Sequence, residues 1–194
     1  MKDDILNSYE KSSLNFIGNS NSLHELGLNS KKLEEAASLQ ILNVFSLLDR
    51  EVVYTSGDSE SFTFILSNID FGNIVTDNKV IYDICLEMGK EVYYGDVKKL
   101  INSDTKLVSV CSDIDMDYHG LKHICVSNFG NYDKYDFITI SSDIPFFGCV
   151  IKKKNKDMVP LVHGGKSSTK YRSGTAATPL IVSFSKEVKL KYKK

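Results

Sequence analysis

Short β-rich runs alternate with segments of helical spacing along almost the whole of this 194-residue chain. No other feature restricts the fold as much. Residues 30–48 carry Leu33, Ala36, Ala37, Leu39, Leu42, Val44, Phe45 and Leu48 at helical intervals, with Asn29 or Ser30 as the N-cap. A β-rich run at 51–54 follows, ending in Thr55, Ser56 and Gly57, and helical spacing returns over 59–69. Residues 73–76 read as a strand and 79–88 as a helix. Strands at 91–94 and 106–111 flank a short helix at 97–101. Further strand-like runs occupy 123–126, 136–140 and 146–151, and a last helix lies near 180–191. The pattern predicts an α/β fold: a three-layer sandwich with a mostly parallel mixed sheet. The run at 146–151 follows a short turn at Pro145 instead of a crossover helix, so an antiparallel neighbour is expected there. Strand order is not readable from periodicity.

The length fits a single domain over residues 1–194 with one substantial core. The first residues are acidic and polar, without the apolar core of a signal peptide, and no apolar run is long enough to span a bilayer. A cytoplasmic protein without a membrane partner is the expectation. Cys85, Cys111, Cys125 and Cys149 lie in apolar surroundings without C-x-x-C spacing and read as buried reduced thiols. The net charge of −1 conceals an asymmetry, with residues 152–194 strongly basic and residues 1–151 acidic. Solvated lysines, including those at 152–154 and 189–194, are the expected explanation, and nucleic acid is not an expected partner. His119 and His123, near Asp115 and Asp117, could suggest a metal, but a strand beginning at His123 breaks helical facing, so none is expected.

Several short motifs then narrow the reading. His163, Gly164 and Gly165 precede Tyr171, Arg172, Ser173, Gly174 and Thr175, and Pro179 follows. This stretch resembles the H-G-G-G-x-E-x-G-x-R-S-G-T-x-x-x-P signature of the NifS/IscS-like cysteine desulfurases, within the class-V aminotransferases and the fold-type-I pyridoxal phosphate (PLP) family. Gly18, Asn19, Ser22, His24 and Gly27 look like its G-N-P-S-S-x-H-x-x-G. Tyr54, Gly57, Ser59 and Glu60 look like F-T-S-G-A-T-E-S. Thr76 to Lys79, leading to Gly89, is similar to T-E-H-K followed by G-F-E-V-T-Y. Thr105 to Val110 matches D-T-x-L-V-S. These motifs occur in the family's order and cover about residues 15–187. The resemblance implies the large domain of the family's fold, with the C-terminal small domain missing and a shortening between Cys111 and His123: a truncated, degenerate relative.

The resemblance also carries expectations residue by residue. The family's Schiff-base lysine, preceded by a histidine, aligns with Ile144, preceded by Asp143, and an isoleucine cannot condense with an aldehyde. The ring-stacking histidine aligns with Asn78. The aspartate that keeps the pyridine nitrogen protonated aligns with Cys125, a neutral thiol. Asp113 is nearest to a further asparagine of the site. The sulfur-accepting cysteine would lie beyond Lys194. No catalytic residue and no bound cofactor are therefore expected, only a vestigial phosphate cradle of Gly57, Asp58, Ser59 and Thr175, with Asp58 capping the helix and filling the anion site. In the family the loop of Arg172 to Thr175 lies at the dimer interface. The expectation is a pseudoenzyme acting as a homodimer, or as a heterodimer with an intact desulfurase or iron–sulfur or thiolation machinery. Two alternatives stay open. One is a PLP enzyme using another lysine, such as Lys79 or Lys166, or a partner chain. The other is a small phosphate- or nucleotide-binding module built on the 57–60 turn.

Overall fold

The computed structural model describes residues 1–142, 147–165 and 170–192. Its elements run α1 (Lys2–Asn15), α2 (Glu25–Val44), β1 (Arg50–Thr55), α3 (Asp58–Leu66), β2 (Asn73–Thr76), α4 (Lys79–Glu87), β3 (Val92–Tyr94), α5 (Val97–Leu100), β4 (Thr105–Val110), β5 (Leu121–Cys125), β6 (Phe137–Ser141), β7 (Gly148–Lys153) and α6 (Thr178–Tyr192). These strands form one mixed sheet in the order β1-β7-β6-β5-β4-β2-β3. Only β7 runs against its neighbours, as the short Pro145 connection suggested. β2, β3, β4, β5 and β6 pair in parallel; α4 and α5 lie between β2, β3 and β4, whereas loops alone join β4 to β5 and β5 to β6.

Both faces of the sheet are covered, which is why its strands read as continuous apolar runs. Neighbouring residues point to opposite layers. Val52, Val75, Val108, Ile124 and Ile138 pack with Ile41 of α2, Phe45 at its C-cap, and Ile181 and Phe184 of α6. Val53, Ile74, Leu107 and Phe137 pack with Phe62 and Ile65 of α3 and Ile81 and Cys85 of α4. The expected three-layer α/β sandwich is therefore present, and the helices of each layer are held by one face of the strands. Among the described residues, no helix is long and apolar enough to cross a membrane.

Three local expectations need correction. Helix α2 begins at Glu25, well before Ser30, because His24 is the N-cap and its Nδ1 accepts from Gly27 N at 3.2 Å. Gly27 is required there: a Cβ would meet Ser22 O at 2.5 Å and Asn19 O at 2.6 Å, so the 18–22 loop could not fold against the first turn. Helix α1 had no counterpart in the periodicity. Its buried stripe is only Ile5 and Ser12, and its support comes from packing on α6. Lys152 is not solvated. It is fully buried, with Nζ 2.5 Å from Glu51 Oε1, donating to Lys156 O at 2.5 Å, and lying 4.5 Å from the Tyr171 ring centre. Because strand β7 alternates faces, one of the adjacent basic residues is carried inward, and Glu51 opposite it supplies the counter-charge.

Candidate functional site at the carboxyl edge of the sheet

The parallel strands end on one edge at Thr55, Thr76, Val110, Cys125 and Ser141, and helices α3 and α4 begin beside it. In open α/β sheets this edge is where ligands bind. Asn78 caps α4: its Oδ1 accepts from Val80 N at 2.9 Å and Ile81 N at 3.3 Å. With the carbonyl committed to the helix, the amide Nδ2 faces Cys125 Sγ at 3.6 Å. Asp77, just before it, accepts from Cys111 N at 2.8 Å. The last paired residues of β4 and β5 are Val110 and Ile124, so Cys111 and Cys125 are the next residues on adjacent strands. The two thiols therefore lie side by side at this edge.

That contact splits the two sulfurs. Neighbouring Cys125 holds the Cys111 thiol below its ordinary value, against the opposing effect of burial. Cys125 is pushed well above its ordinary value, first by neighbouring Cys111 and then by burial, with the charge of Asp58 adding to the shift. Cys111 is exposed and Cys125 half-buried, whereas only Cys85 and Cys149 are buried as all four were expected to be. Apolar neighbours in sequence misled at Cys111 because the strand ends one residue earlier and releases the side chain to the edge.

Two positions further back on β5, His123 is enclosed in the sheet. Its Nδ1 lies 2.7 Å from Ser109 Oγ and its Nε2 3.0 Å from Thr139 Oγ1, with the Phe62 ring edge-on. Burial lowers its pKa to about 3, so it is neutral. His119 is 98% exposed, and among the described residues no three metal-ligating side chains converge.

The turn into α3 departs from expectation. Gly57 is the N-cap residue, at φ 150°, and Asp58 makes no capping bond. Glu60 takes that role instead: Oε2 accepts from Ser56 N at 2.7 Å, while Oε1 accepts from Arg172 Nε at 2.9 Å. From the third helical position a glutamate reaches back to the preceding backbone, whereas an aspartate in the first turn points outward. Burial would raise the Glu60 pKa, but the bonds from Ser56 and Arg172 outweigh it and lower the value. The first turn of α3 therefore carries its own carboxylates, Asp58 and Glu60. Ser59 is exposed on that turn.

Thr175 accepts from Asn19 Nδ2 at 3.4 Å, and Gly174 O accepts from Asn21 Nδ2 at 3.5 Å. The segment borders a cleft of about 590 Å³ between α2, β1 and the start of α6, where Glu34, Ser38 and Tyr54 lie. Thr178 Oγ1 donates to buried Glu34 at 2.5 Å, and burial raises the Glu34 pKa. No sequence motif pointed to Glu34. Of the predicted site residues, the structure thus brings Asn78 and Cys125 together with Asp58 nearby, while Thr175 bonds Asn19 and lines the cleft. Asp143, Ile144 and Lys166 lie outside the described residues. Lys79 is exposed and paired with Asp83, which raises its pKa. An amine held in the ammonium form is poorly suited to condensing with a carbonyl.

No family model matches the chain. It is 25% identical over 223 aligned positions to the cysteine desulfurase IscS of Dictyoglomus turgidum, a match covering 89% of this chain and 56% of that protein. The mitosomal cysteine desulfurase of Encephalitozoon cuniculi is also 25% identical, covering 86% of this chain and 51% of that protein. The chain thus spans little more than half the length of these curated relatives. Because the alignments are longer than the chain itself, the relatives also carry internal residues that it lacks. A solved NifS-like protein superposes with a TM-score of 0.84 at 21% identity, covering 97% of this chain and 66% of that one. The NifS-like protein of Rickettsia africae gives 0.80 at 20% identity, covering 96% and 64%. These superpositions establish the fold. Together with the sequence matches, they make the chain a relative of the NifS/IscS-like cysteine desulfurases.

Proposed function

We propose that this chain is a desulfurase-like protein that does not itself carry out PLP-dependent desulfuration and acts by association, with a second copy or with an intact desulfurase. The pairing of Asn78 with Cys125 carries the reading. At the positions where the resemblance implies an aromatic ring stack and a carboxylate, the chain has an amide committed to capping α4 and a thiol held neutral by Cys111 and burial. Neither group fits PLP. A neutral thiol cannot keep a pyridine nitrogen protonated, and without that charge the ring loses its capacity to accept electrons. The Ile144 position supports the same reading from sequence alone. Asp58 and Glu60 in the first turn of α3 weigh against the phosphate-module alternative, since like charge opposes a phosphate there. Gly174 and Thr175, exposed beside the cleft, belong to the loop proposed as the contact.

Incubation with PLP, followed by borohydride reduction and mass spectrometry, is expected to give no lysine adduct under conditions that label a cysteine desulfurase. An adduct on any lysine overturns the non-catalytic reading. Light scattering is expected to show a complex, alone or after mixing with an intact desulfurase. Monomer in both cases overturns association.

A further inference from the structure

We propose that Cys111 and Cys125 form a thiol–disulfide exchange site, with exposed Cys111 as the attacking sulfur and half-buried Cys125 as the resolving one. This inference is independent of whether the chain associates or binds PLP.

The geometry comes from the sheet. Cys111 and Cys125 follow the last register pair of two parallel strands. Adjacent strands lie about 4.8 Å apart, inside the roughly 4.4–6.8 Å between Cα atoms that a disulfide spans. Both side chains meet on the same edge, where Asn78 Nδ2 approaches Cys125 Sγ at 3.6 Å and Cys111 N is anchored on Asp77 Oδ1 at 2.8 Å. The other two cysteines are enclosed in opposite layers of the core, Cys149 with the α2–α6 layer and Cys85 with the α3–α4 layer.

The order of events follows from the different exposure of the two sulfurs. Cys111, the exposed sulfur and the one whose pKa is lowered beside Cys125, loses its proton first. The thiolate attacks one sulfur of a low-molecular-weight disulfide. The reagent's S–S bond breaks, a mixed disulfide forms on Cys111, and the departing thiolate takes up a proton. With Cys111 capped as a neutral mixed disulfide, its charge no longer opposes ionisation of Cys125. Cys125 then loses its proton and attacks Cys111 Sγ, and the second small thiol leaves, protonated. Two protein thiols are oxidised by two electrons to one disulfide, and the reagent is reduced to two thiols. A strained or exposed disulfide of this kind is readily reduced again, so the site would cycle.

The test uses the full chain equilibrated with oxidised glutathione, quenched in acid, alkylated under denaturing conditions and mapped by mass spectrometry. Two of the four cysteines are expected to lose their alkylation, with a linked Cys111–Cys125 peptide that disappears on reduction. Cys125→Ser should accumulate one glutathione on Cys111, because the resolving sulfur is gone, and Cys111→Ser should take up none at Cys125. Full alkylation of all four cysteines in oxidised wild type overturns the site. So does a mixed disulfide that persists on Cys111 while Cys125 is intact. The wild-type map decides even if a variant fails to fold.

Discussion

At the amino edge of the sheet, Arg50 and Lys152 are buried cations, whereas the carboxyl edge holds an amide, two thiols and exposed acids. Arg50 donates Nη1 to Tyr135 O and Nη2 to Asp133 O, with Asp133 Oδ1 3.1 Å away. Lys152 joins Glu51, and Tyr171 OH donates to the same carboxylate at 3.2 Å. Asp136 accepts from Lys122 N at 3.0 Å and pairs with Lys153 at 3.2 Å. Burying charge is tolerable only when partners replace water, and here backbone carbonyls from two loops do so. Among the described residues, the carboxyl edge has no buried cation held this way, and its ion pair of Glu60 with Arg172 is partly solvated. Its groups touch in pairs, Asn78 with Cys125 and Asp77 with Cys111, and solvent reaches them. One edge fastens the fold, and the other leaves reactive atoms accessible.

The largest effect that could break this contrast is Arg50→Ala. It should destabilise the chain by about 3 kcal/mol, since the carbonyls of Tyr135 and Asp133 lose their donor and a cavity remains. The measurement is the urea midpoint at unchanged slope, and a shift as small as that of a surface residue would dissolve the distinction between the edges. Next comes Asn78→Ala, which removes the cap from two backbone N–H groups and should cost about 1 kcal/mol. A similar loss in Asn78→Asp would show that the amide contact to Cys125, not the cap, matters more.

Two carboxylates sharpen the comparison through pH. Glu60 has a lowered pKa in the folded chain, so its contribution is complete above the ordinary glutamate range and is lost as pH falls through the lowered value. Glu60→Gln should cost about 0.5–1 kcal/mol at neutral pH, kept small because Arg172 is partly solvated, and the difference should close in acid. Glu34 is opposite in sign. Its raised value means that wild type is favoured at low pH and loses stability as pH rises through that value, so Glu34→Gln, which keeps the Thr178 bond, should gain on wild type over the same rise. Melting curves across pH for the two variants should therefore diverge. The smallest effect is that of Cys111→Ser, expected to shift stability by less than about 0.5 kcal/mol, as for an exposed position outside the core.

Local spacing was enough to find the strands and most of the helices, because a buried sheet writes apolar runs and the crossovers write a helical period. The short spacing between the runs at 136–140 and 146–151 pointed to an antiparallel neighbour, which β7 is. Helix α1 escaped because two buried residues leave no period, and its stability is borrowed from α6. At the site, sequence brought Asn78 and Cys125 into view only through their resemblance to a known pattern. Cys111 and Glu34 were not legible as site residues, and Lys152 looked like one more surface lysine.

By itself, then, the sequence determined the α/β layering and the order of its motifs, since both depend on which residues follow one another. Only the tertiary structure decided that Cys111 meets Cys125, that Glu60 rather than Asp58 closes the turn into α3, and that Lys152 is enclosed. Each of those outcomes depends on a partner distant in the chain or on where a strand stops. Charge state and exposure are set by such neighbours, not by residue type.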